Sequence, residues 1–564
     1  MRTRRQRLAE AKAAHNHPAY ARMAFVMGCG VQGRGAGSAV SDEDGRSYLA
    51  LFDQYGNQSF GYSHPRITAA VREQLDSGIL NSTKIMFEEV QIRLSQQLAE
   101  LTDRRLPYSY LANSGGETID NALKLARAAT GRPGFLSATG CFHGKTFATL
   151  SAAGRPEHRQ SLGPFIDHFR QVPFGDTEAL AEALDDTVAA VLLEPVQAEA
   201  GVIVPPPGYL REVRALCDRN GSLLILDEMQ TAFGRCGTFF AHEQFGVTPD
   251  LLCIGKAFGG GVLPISAVLG TPEVWEVLRT LPSTFGSSLG GNPLSCRVGS
   301  EAIAIAGDER FLADVAAKGR TLTERLTAAA SRHHRLIGAH RGLGMMHGLE
   351  FRDDSLAGLV LSRLLEEGVT STYSLYNPRV VRVQPPMVIS PADLDRGLDI
   401  LEDVLAQADQ QAAAPRPRPV DAPSAGNRID RTVRLPHRAA DLLARIHRTP
   451  HLLDPFAMHA TDPHPRAGEF AGRLGDDLVV WPDRCEQRGD GMVLRAEPGW
   501  LWTSLERAVH VRPAGPDGCE VRVSISWDTG SGAYEEMLGG RIGFFAAQRL
   551  TQLLNAVQTE EVTA

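Results

Sequence analysis

Three short apolar runs between residues 189 and 256 constrain the fold of this chain more than any other feature. The runs are AAVLLEP at 189–195, SLLILDE at 222–228 and DLLCIGK at 250–256. Near-continuous apolar strands of this length are typical of a parallel sheet that is covered on both faces. Between the first two runs lies GYLREVRALCDRNG at 208–221, which has apolar residues at helical spacing and a glycine near its end. This alternation of strand and helix predicts an α/β fold.

The chain has 564 residues, which is too long for one ordinary domain. Its amino-acid composition changes near residue 408. Residues 408–430 are rich in proline, alanine and small polar residues, which indicates an extended, semi-rigid linker. Residues 431–564 then follow the order strand, helix, several short strands and a long terminal helix over 534–557. We therefore predict a separate C-terminal α+β domain.

Composition excludes several classes of protein. The net charge of −8 argues against a general nucleic-acid binder, and the chain has no run of 18 apolar residues that could span a membrane. Its eight cysteines form no C-x-x-C pair, so we expect no metal site. Reduced thiols in a large chain favour a cytoplasmic protein.

Two charged residues stand at the strand ends where open α/β sheets bind their ligands. Asp227 ends the second apolar run, and Lys256 ends the third, just before AFGGG. Either residue alone is equally well explained as ordinary loop chemistry. Together they match the needs of a pyridoxal-phosphate (PLP) enzyme, in which a lysine holds the cofactor and an acid keeps its pyridine nitrogen protonated.

The helical segment at 111–130 offers a place for the cofactor's phosphate. Ser114 to Glu117 spell the capping-box pattern S-x-x-E, and Gly115 and Gly116 leave the first helical amides bare. A helix N-terminus with free amides attracts an anion. A capping box alone usually does no more than start a helix, so its value here comes from the nearby lysine and aspartate.

Several longer motifs extend this interpretation. NSGGETIDNALKLAR, CFHGKTFATLSAAGR, LLEPVQAEAGVIVPPPGYL, LILDEMQTAFGRCGTFFAHE, PDLLCIGKAFGGGVLPISAV and SLGGNPLSC occur in this order. Together they resemble the class III (omega) aminotransferases, which have PLP fold type I, the aspartate-aminotransferase fold. The resemblance covers about residues 20–408 and is nearest to putrescine aminotransferases, followed by the ornithine type.

The resemblance implies a role for each matching residue. Lys256 would form the Schiff base with PLP and shuttle the proton, and Asp227 would hold the pyridine nitrogen. The other residues implied in cofactor binding are Ser114, Gly115, Gly116, Phe142, His143, Glu194, Gln230 and Ser288. Of these, Phe142 would stack on the ring, Gln230 would reach the ring hydroxyl, and His143 would support its loop.

The substrate residues implied in the same way are Tyr55, Glu199 and Arg382. Arg382 matches the arginine that grips a substrate carboxylate, and Glu199 matches the glutamate that pairs with this arginine when an amine is bound instead. Ser288 stands where the family usually has a threonine that reaches the phosphate of the neighbouring subunit, so the resemblance implies a homodimer. The expected partners are a small-molecule amine and a keto acid, with no nucleic acid and no membrane.

The resemblance also implies a division of the chain. Residues 1–60 would pack with a small domain at 306–407, and residues 61–305 would form the large PLP-binding domain. The linker at 408–430 and the α+β domain at 431–564 lie outside the resemblance. The latter loosely resembles helix-grip (START-like) domains, whose cavity binds apolar ligands.

Two alternatives stay open at this stage. An aminomutase or racemase of the same fold would keep PLP but would consume no external keto acid. The C-terminal domain, in turn, is either a structural appendage or a binding module for a hydrophobic intermediate, the latter pointing to natural-product biosynthesis.

Overall fold

The computed structural model describes residues 3–26, 29–82, 85–156, 159, 162–281, 284–413, 427–435, 439–448, 469–474, 477–488, 490–496, 504–514 and 519–528. Its helices are α1 (Arg4–His15), α2 (Pro18–Val26), α3 (Pro65–Asp76), α4 (Glu89–Leu101), α5 (Gly115–Thr130), α6 (Phe147–Ala152), α7 (Thr177–Ala183), α8 (Tyr209–Asn220), α9 (His242–Phe245), α10 (Pro272–Trp275), α11 (Pro293–Ala306), α12 (Glu309–Arg332), α13 (Asp354–Glu366), α14 (Pro391–Ala413) and α15 (Ala439–Arg448).

The strands are β1 (Gln32–Ala36), β2 (Ala39–Asp42), β3 (Ser47–Ala50), β4 (Tyr108–Ala112), β5 (Gly134–Ala138), β6 (Phe169–Val172), β7 (Val188–Leu193), β8 (Leu223–Asp227), β9 (Leu251–Ile254), β10 (Ser266–Gly270), β11 (Ile337–Leu343), β12 (Met346–Phe351), β13 (Val369–Thr370), β14 (Thr372–Ser374), β15 (Asn377–Val383), β16 (Asn427–Leu435), β17 (Glu469–Leu474), β18 (Asp477–Arg488), β19 (Gly491–Ala496), β20 (Ser504–Pro513) and β21 (Cys519–Asp528).

The chain divides into two compact units. One unit comprises Gln32–Arg352 and Glu367–Asp403 and contains all the predicted site residues. The other comprises Met1–Val31, Asp353–Glu366 and Val404–Ala564. The finer division into large and small PLP domains stays a prediction.

A seven-stranded sheet in the order β4-β10-β9-β8-β7-β5-β6 forms the centre of the first unit. The pairs from β9 through β8, β7 and β5 to β6 are parallel, whereas β10 runs antiparallel to both of its neighbours. All six residues of β7 are buried, because apolar side chains of α5 and other elements cover the sheet. The predicted α/β fold is therefore confirmed, and the three apolar runs are β7, β8 and β9.

The helix predicted at 208–221 is also confirmed as α8. It buries Leu210, Val213 and Cys217, and it ends at Gly221, whose φ of 68° lies in the left-handed region. Glycine adopts that conformation without the steric cost that a Cβ would add. This helix connects β7 to β8 and so helps to bring their carboxyl ends to the same edge of the sheet.

The same unit contains two smaller sheets. One has the order β1-β2-β3-β13, and the other is an antiparallel sheet in the order β11-β12-β15-β14. Arg382 lies on β15, and the segment just after this strand forms a parallel bridge between Gln384 and Phe52. The bridge brings the loop after β3 to the end of β15.

The second unit contains a six-stranded antiparallel sheet in the order β16-β21-β20-β19-β18-β17, with α15 packed against β19 and β20. Along β21 the alternate residues Cys519, Val521, Val523 and Ile525 are buried, so one face of this strand is apolar. The predicted strands and the helix predicted after the first of them therefore exist, whereas the helix predicted at 534–557 lies outside the described residues. Helix α14 continues to Ala413 and β16 begins at Asn427, so residues 414–426 of the predicted linker also lie outside them.

In the part of the chain that the structure describes, no helix is both long enough and apolar enough to cross a bilayer.

Candidate active site

The candidate site lies at the carboxyl ends of β7, β8 and β9. Glu194 follows β7, Asp227 is the last residue of β8, and Lys256 begins a short 3-10 turn just after β9. Because these strands are parallel neighbours, their carboxyl ends meet at one edge of the sheet, where open α/β folds bind ligands.

Lys256 is held in an unusual backbone conformation. Its φ is 50°, in a region that costs a residue with a side chain about 1–3 kcal/mol and that occurs mainly where the surrounding structure enforces it. A methyl group added to Gly56 would lie 3.5 Å from Cδ of Lys256, so the lysine stem passes directly over this glycine. The side chain of Lys256 therefore lies next to the Gly56 backbone, where a larger residue would crowd it.

The surroundings of Lys256 favour its neutral amine, which can act as a base or a nucleophile. Within the described residues it makes no side-chain hydrogen bond or ion pair. Burial lowers its pKa, Arg382 adds to this effect, and the carboxylates of Glu199 and Asp227 oppose it. A lysine with a lowered pKa has more of the neutral amine that reacts with carbonyl groups.

Asp227 and His143 form a buried pair. Nδ1 of His143 lies 2.7 Å from Oδ2 of Asp227, and the other carboxylate oxygen accepts a hydrogen bond of 3.1 Å from the amide of Met229. Burial alone would lower the pKa of His143, but Cys141 and the hydrogen bond with Asp227 outweigh burial and raise this pKa well above its usual range. Nε2 of the same ring is buried and has no hydrogen-bond partner within the described chain.

Glu194 supports the loop that carries Phe142. Its carboxylate accepts hydrogen bonds from the amides of Phe142 (3.0 Å) and Ala198 (3.3 Å). Burial raises the pKa of Glu194 to about 7, an effect that the nearby His143 opposes. The ring of Phe142 packs edge-on against Tyr376 with 5.6 Å between the ring centroids. The structure therefore holds Phe142 from both its backbone and its side chain.

The N-terminus of α5 presents the predicted anion site, with one correction to its local geometry. Oγ of Ser114 accepts a hydrogen bond of 3.3 Å from the amide of Glu117, as the capping pattern requires. The carboxylate of Glu117, however, accepts from the amide of Asn113 at 2.9 Å rather than from Ser114, so the reciprocal half of the capping box is wrong. The amides of Gly115 and Gly116 lie in the first turn, where no intrahelical acceptor exists.

Glu199, Gln230 and Arg382 form a buried cluster. Oε1 of Glu199 accepts hydrogen bonds from Nη1 of Arg382 at 2.9 Å and from Nε2 of Gln230 at 2.8 Å. Nη2 of Arg382 also donates to Oε1 of Gln230 at 2.9 Å, which closes the triangle. The guanidinium carbon lies 5.8 Å from the ring centroid of Tyr55, so this predicted residue also reaches the cluster.

Ser288 is not part of this cluster. It is exposed and lines a groove of about 810 Å³, the walls of which include Ser287 and Phe285 but neither Lys256 nor Arg382. The neighbouring Ser287 accepts a hydrogen bond of 2.8 Å from the amide side chain of Asn113, just before the N-terminus of α5. The role of Ser288 in a neighbouring subunit's site stays a prediction.

Sequence reasoning missed the residues that support Arg382. Gln384 and Asp53 join the cluster, because Oε1 of Gln384 accepts from Nη2 of Arg382 and its Nε2 donates to Oδ1 of Asp53 at 2.9 Å. Asp53 in turn forms a buried ion pair of 2.6 Å with Arg235. The separation of two residues between Arg382 and Gln384 could have suggested that they lie on one face of a strand.

The donor set fits PLP, the cofactor that the sequence implies. Lys256 would supply the amine, Asp227 a buried carboxylate for the pyridine nitrogen, and Gly115 and Gly116 the amides for the phosphate. The buried Nε2 of His143, which has no partner within the described chain, is a further polar atom that a bound molecule can satisfy.

Three comparisons with known proteins found a family, a related sequence and related structures. The family model described as aminotransferase class III matches residues 21–405. The putrescine aminotransferase of Pectobacterium atrosepticum is 38% identical in an alignment of 385 residues that covers 66% of this chain and 82% of that protein.

Among solved structures, an ornithine aminotransferase from Toxoplasma gondii with partial PLP occupancy has a TM-score of 0.64 and 31% identity, over 68% of this chain and 91% of that one. An amine transaminase from an uncultivated Pseudomonas species, solved in its PLP-bound form, has a TM-score of 0.63 and 25% identity, over 67% of this chain and 95% of that one.

Proposed function

This chain belongs to the class III aminotransferase family and is therefore a PLP-dependent transaminase, and we propose that it transfers an amino group from a terminal amine of the putrescine or ornithine type to a keto acid. The donor type is supported by the likeness to a putrescine aminotransferase and to an ornithine aminotransferase. A role in biosynthesis and a cytoplasmic location belong to the same proposal.

The buried pair of Arg382 and Glu199 is the observation that carries the proposal. A transaminase must accept two different molecules in turn at one site. A keto acid with a second carboxylate offers Arg382 a bidentate anion, whereas a diamine offers no carboxylate and leaves Glu199 to pair with Arg382 at 2.9 Å. An ion pair that separates when a keto acid binds and forms again when a diamine binds favours a transaminase. An aminomutase or racemase handles only one substrate and its product, so it has no need of such a pair.

The site residues divide the chemistry among them. When bound, PLP supplies an electron sink that allows a C–H bond next to nitrogen to ionise. Nζ of Lys256 would take the proton from the amine-bearing carbon of the donor as general base, and in the second half-reaction it would deliver a proton to the carbonyl carbon of the keto acid as general acid. Asp227, whose carboxylate lies 2.7 Å from Nδ1 of His143, would hold the pyridine nitrogen. The amides of Gly115 and Gly116 would bind the phosphate, and Phe142 would cover the ring.

We further propose that the active protein is a homodimer in which Ser288 reaches the phosphate of the neighbouring subunit. Ser288 is exposed in the single chain and carries the hydroxyl that such a contact needs. The C-terminal unit, with its antiparallel sheet and α15, is proposed to be a helix-grip domain that binds a hydrophobic intermediate of a natural-product pathway. Removal of residues 415–564 tests this role, and unchanged activity on every substrate would contradict it.

The visible absorption of the purified protein with PLP tests the main proposal. We expect a yellow band that putrescine, ornithine, 4-aminobutyrate, alanine or glutamate bleaches, and that 2-oxoglutarate or pyruvate then restores. The variant Lys256→Ala is the control and should lose both changes, because no other residue in the described site offers an equivalent amine. A band that bleaches but that no keto acid restores would contradict transamination, and a protein that never acquires the band would contradict PLP dependence.

A further inference from the structure

Arg382 has three acceptors for two of its nitrogen atoms. Nη1 donates to Glu199 at 2.9 Å, whereas Nη2 donates to both Gln230 and Gln384. Nε is buried and has no partner within the described residues. Of the three acceptors only Glu199 is charged, so the other two orient the guanidinium without neutralising it.

Gln384 is held through both its side chain and its backbone. Its side chain is fully buried, its Nε2 donates to Oδ1 of Asp53 at 2.9 Å, and its backbone amide donates to the carbonyl of Leu51 at 2.8 Å. An amide side chain has one nitrogen and one oxygen. Because Asp53 accepts from the nitrogen, the oxygen of Gln384 must face Arg382.

Asp53 is itself fixed by three further donors. Oδ1 accepts from the amide of Gly56 at 2.9 Å, and Oδ2 accepts from Oγ of Ser59 at 2.8 Å and from Nη2 of Arg235 at 2.6 Å. The same Arg235 donates to the carbonyl of Pro385 at 2.8 Å, just after Gln384. One buried hydrogen-bond network therefore holds both the side chain of Gln384 and the backbone next to it.

The other two acceptors, Glu199 and Gln230, also have expected roles toward the substrate or the cofactor. Glu199 is the group that a substrate carboxylate would replace, and Gln230 is the residue expected to reach the cofactor's ring hydroxyl. Gln230 also donates to Glu199 at 2.8 Å, so a movement of Glu199 disturbs it. The hydrogen bonds of Gln384 join it to Arg382 and Asp53 and not to Glu199, so they do not depend directly on the position of Glu199.

We propose that Gln384 is a positioning residue that keeps Arg382 directed at the carboxylate of the keto acid after Glu199 has released it, and so determines affinity for the carboxylate-bearing substrate and not for the amine. This inference rests on the proposed function. A neutral amide suits the task, since a second carboxylate beside Arg382 would compete with the substrate for the same charge.

Kinetic measurements on the two half-reactions distinguish this positioning role from a purely structural one. In Gln384→Met, which keeps the length of the side chain but loses both hydrogen bonds, the KM for 2-oxoglutarate should rise about tenfold, the equivalent of about 1.4 kcal/mol. Its kcat and the bleaching rate with putrescine, which has no carboxylate, should stay within about twofold of the wild type. A loss shared equally by both half-reactions, or no loss in either, would overturn the proposal.

A binding measurement decides the same question without turnover. Calorimetric titration of glutarate, a dicarboxylate that cannot react, should give a Kd about tenfold weaker for Gln384→Met than for the wild type. Gln384→Glu is the second variant, and it should also bind glutarate more weakly because its carboxylate competes for Arg382. Equal affinity in the wild type and both variants would overturn the inference, as would a wild type that binds no glutarate.

The control variant is Gln74→Met on α3, a buried glutamine that donates to the carbonyl of Ile79 at 2.7 Å and makes no contact with Arg382. It should leave glutarate affinity unchanged, and an equal loss in this variant would show that general destabilisation causes the effect. A wild type that no amine bleaches would refute the proposed function alone, because the glutarate titration still tests Gln384.

Discussion

Replacement of Glu199 by glutamine should have opposite effects on the free protein and on its complex with a dicarboxylate. Glu199 and Arg382 are both buried, with exposed side-chain fractions of 1% and 0%. Removal of one partner from a buried ion pair leaves an uncompensated charge and typically costs about 3–5 kcal/mol. Gln230 and Gln384 still accept from Arg382, so we expect a loss near the lower end, about 3 kcal/mol.

A bound carboxylate would return the missing charge. In the wild type, glutarate must first displace Glu199 from Arg382, whereas in Glu199→Gln that competitor is gone. If the ligand recovers about half of the 3 kcal/mol, its affinity rises about tenfold. The variant should therefore be less stable than the wild type without glutarate and should bind glutarate more tightly.

Thermal unfolding with and without saturating glutarate measures both effects. The midpoint of Glu199→Gln should lie below that of the wild type, and the gap should narrow when glutarate is added. The control is Glu350→Gln, which removes a partner of Arg341 at 2.7 Å whose side chain is 20% exposed, and which should cost at most about 1 kcal/mol with no response to glutarate. A gap that glutarate leaves unchanged, or weaker glutarate binding in Glu199→Gln, would refute the reasoning.

Two further predictions concern buried carboxylates. Burial raises the pKa of Glu194 from 4.5 to about 7, so between these values the folded protein holds a proton that the unfolded chain releases, and stability falls as the pH rises. The midpoint of thermal unfolding should therefore fall less between pH 5 and pH 7 in Glu194→Gln than in the wild type. An equal fall in both proteins would contradict the raised pKa of Glu194. Asp53→Asn should lower the free energy of unfolding by about 3–5 kcal/mol, because it leaves Arg235 without a counter-charge. Ser59→Ala, which removes one hydroxyl donor from the same carboxylate, should cost about 1 kcal/mol in the same denaturation experiment, and equal losses would be evidence against the ion pair.

The central sheet was predictable because its signal is local. Each of β7, β8 and β9 is a short apolar run, and a strand buried on both faces needs apolar residues at every position. The antiparallel direction of β10 between β4 and β9 was not predictable in this way. A strand carries the same apolar pattern in either direction, so its orientation depends on the path of the connecting chain.

The site was predictable to different degrees. Lys256 and Asp227 follow from their positions at strand ends, and Arg382 and Glu199 follow from the family resemblance. The structure brings these four into electrostatic range of one another. Gln384 and Asp53 were missed, because their contact joins positions 331 residues apart, and no local pattern marks it.

Local sequence patterns specify the apolar strands β7, β8 and β9, the strand ends that carry Lys256 and Asp227, and the glycines in the first turn of α5. Apolar periodicity and glycine positions act over a few residues, and so they can be read along the chain. The tertiary structure alone decided which acceptor each buried donor finds, including the turn of Glu117 toward Asn113 and the network from Arg235 through Asp53 to Arg382. Those choices depend on the need of every buried polar group for a partner, and the candidates for that partner come together only when distant segments pack.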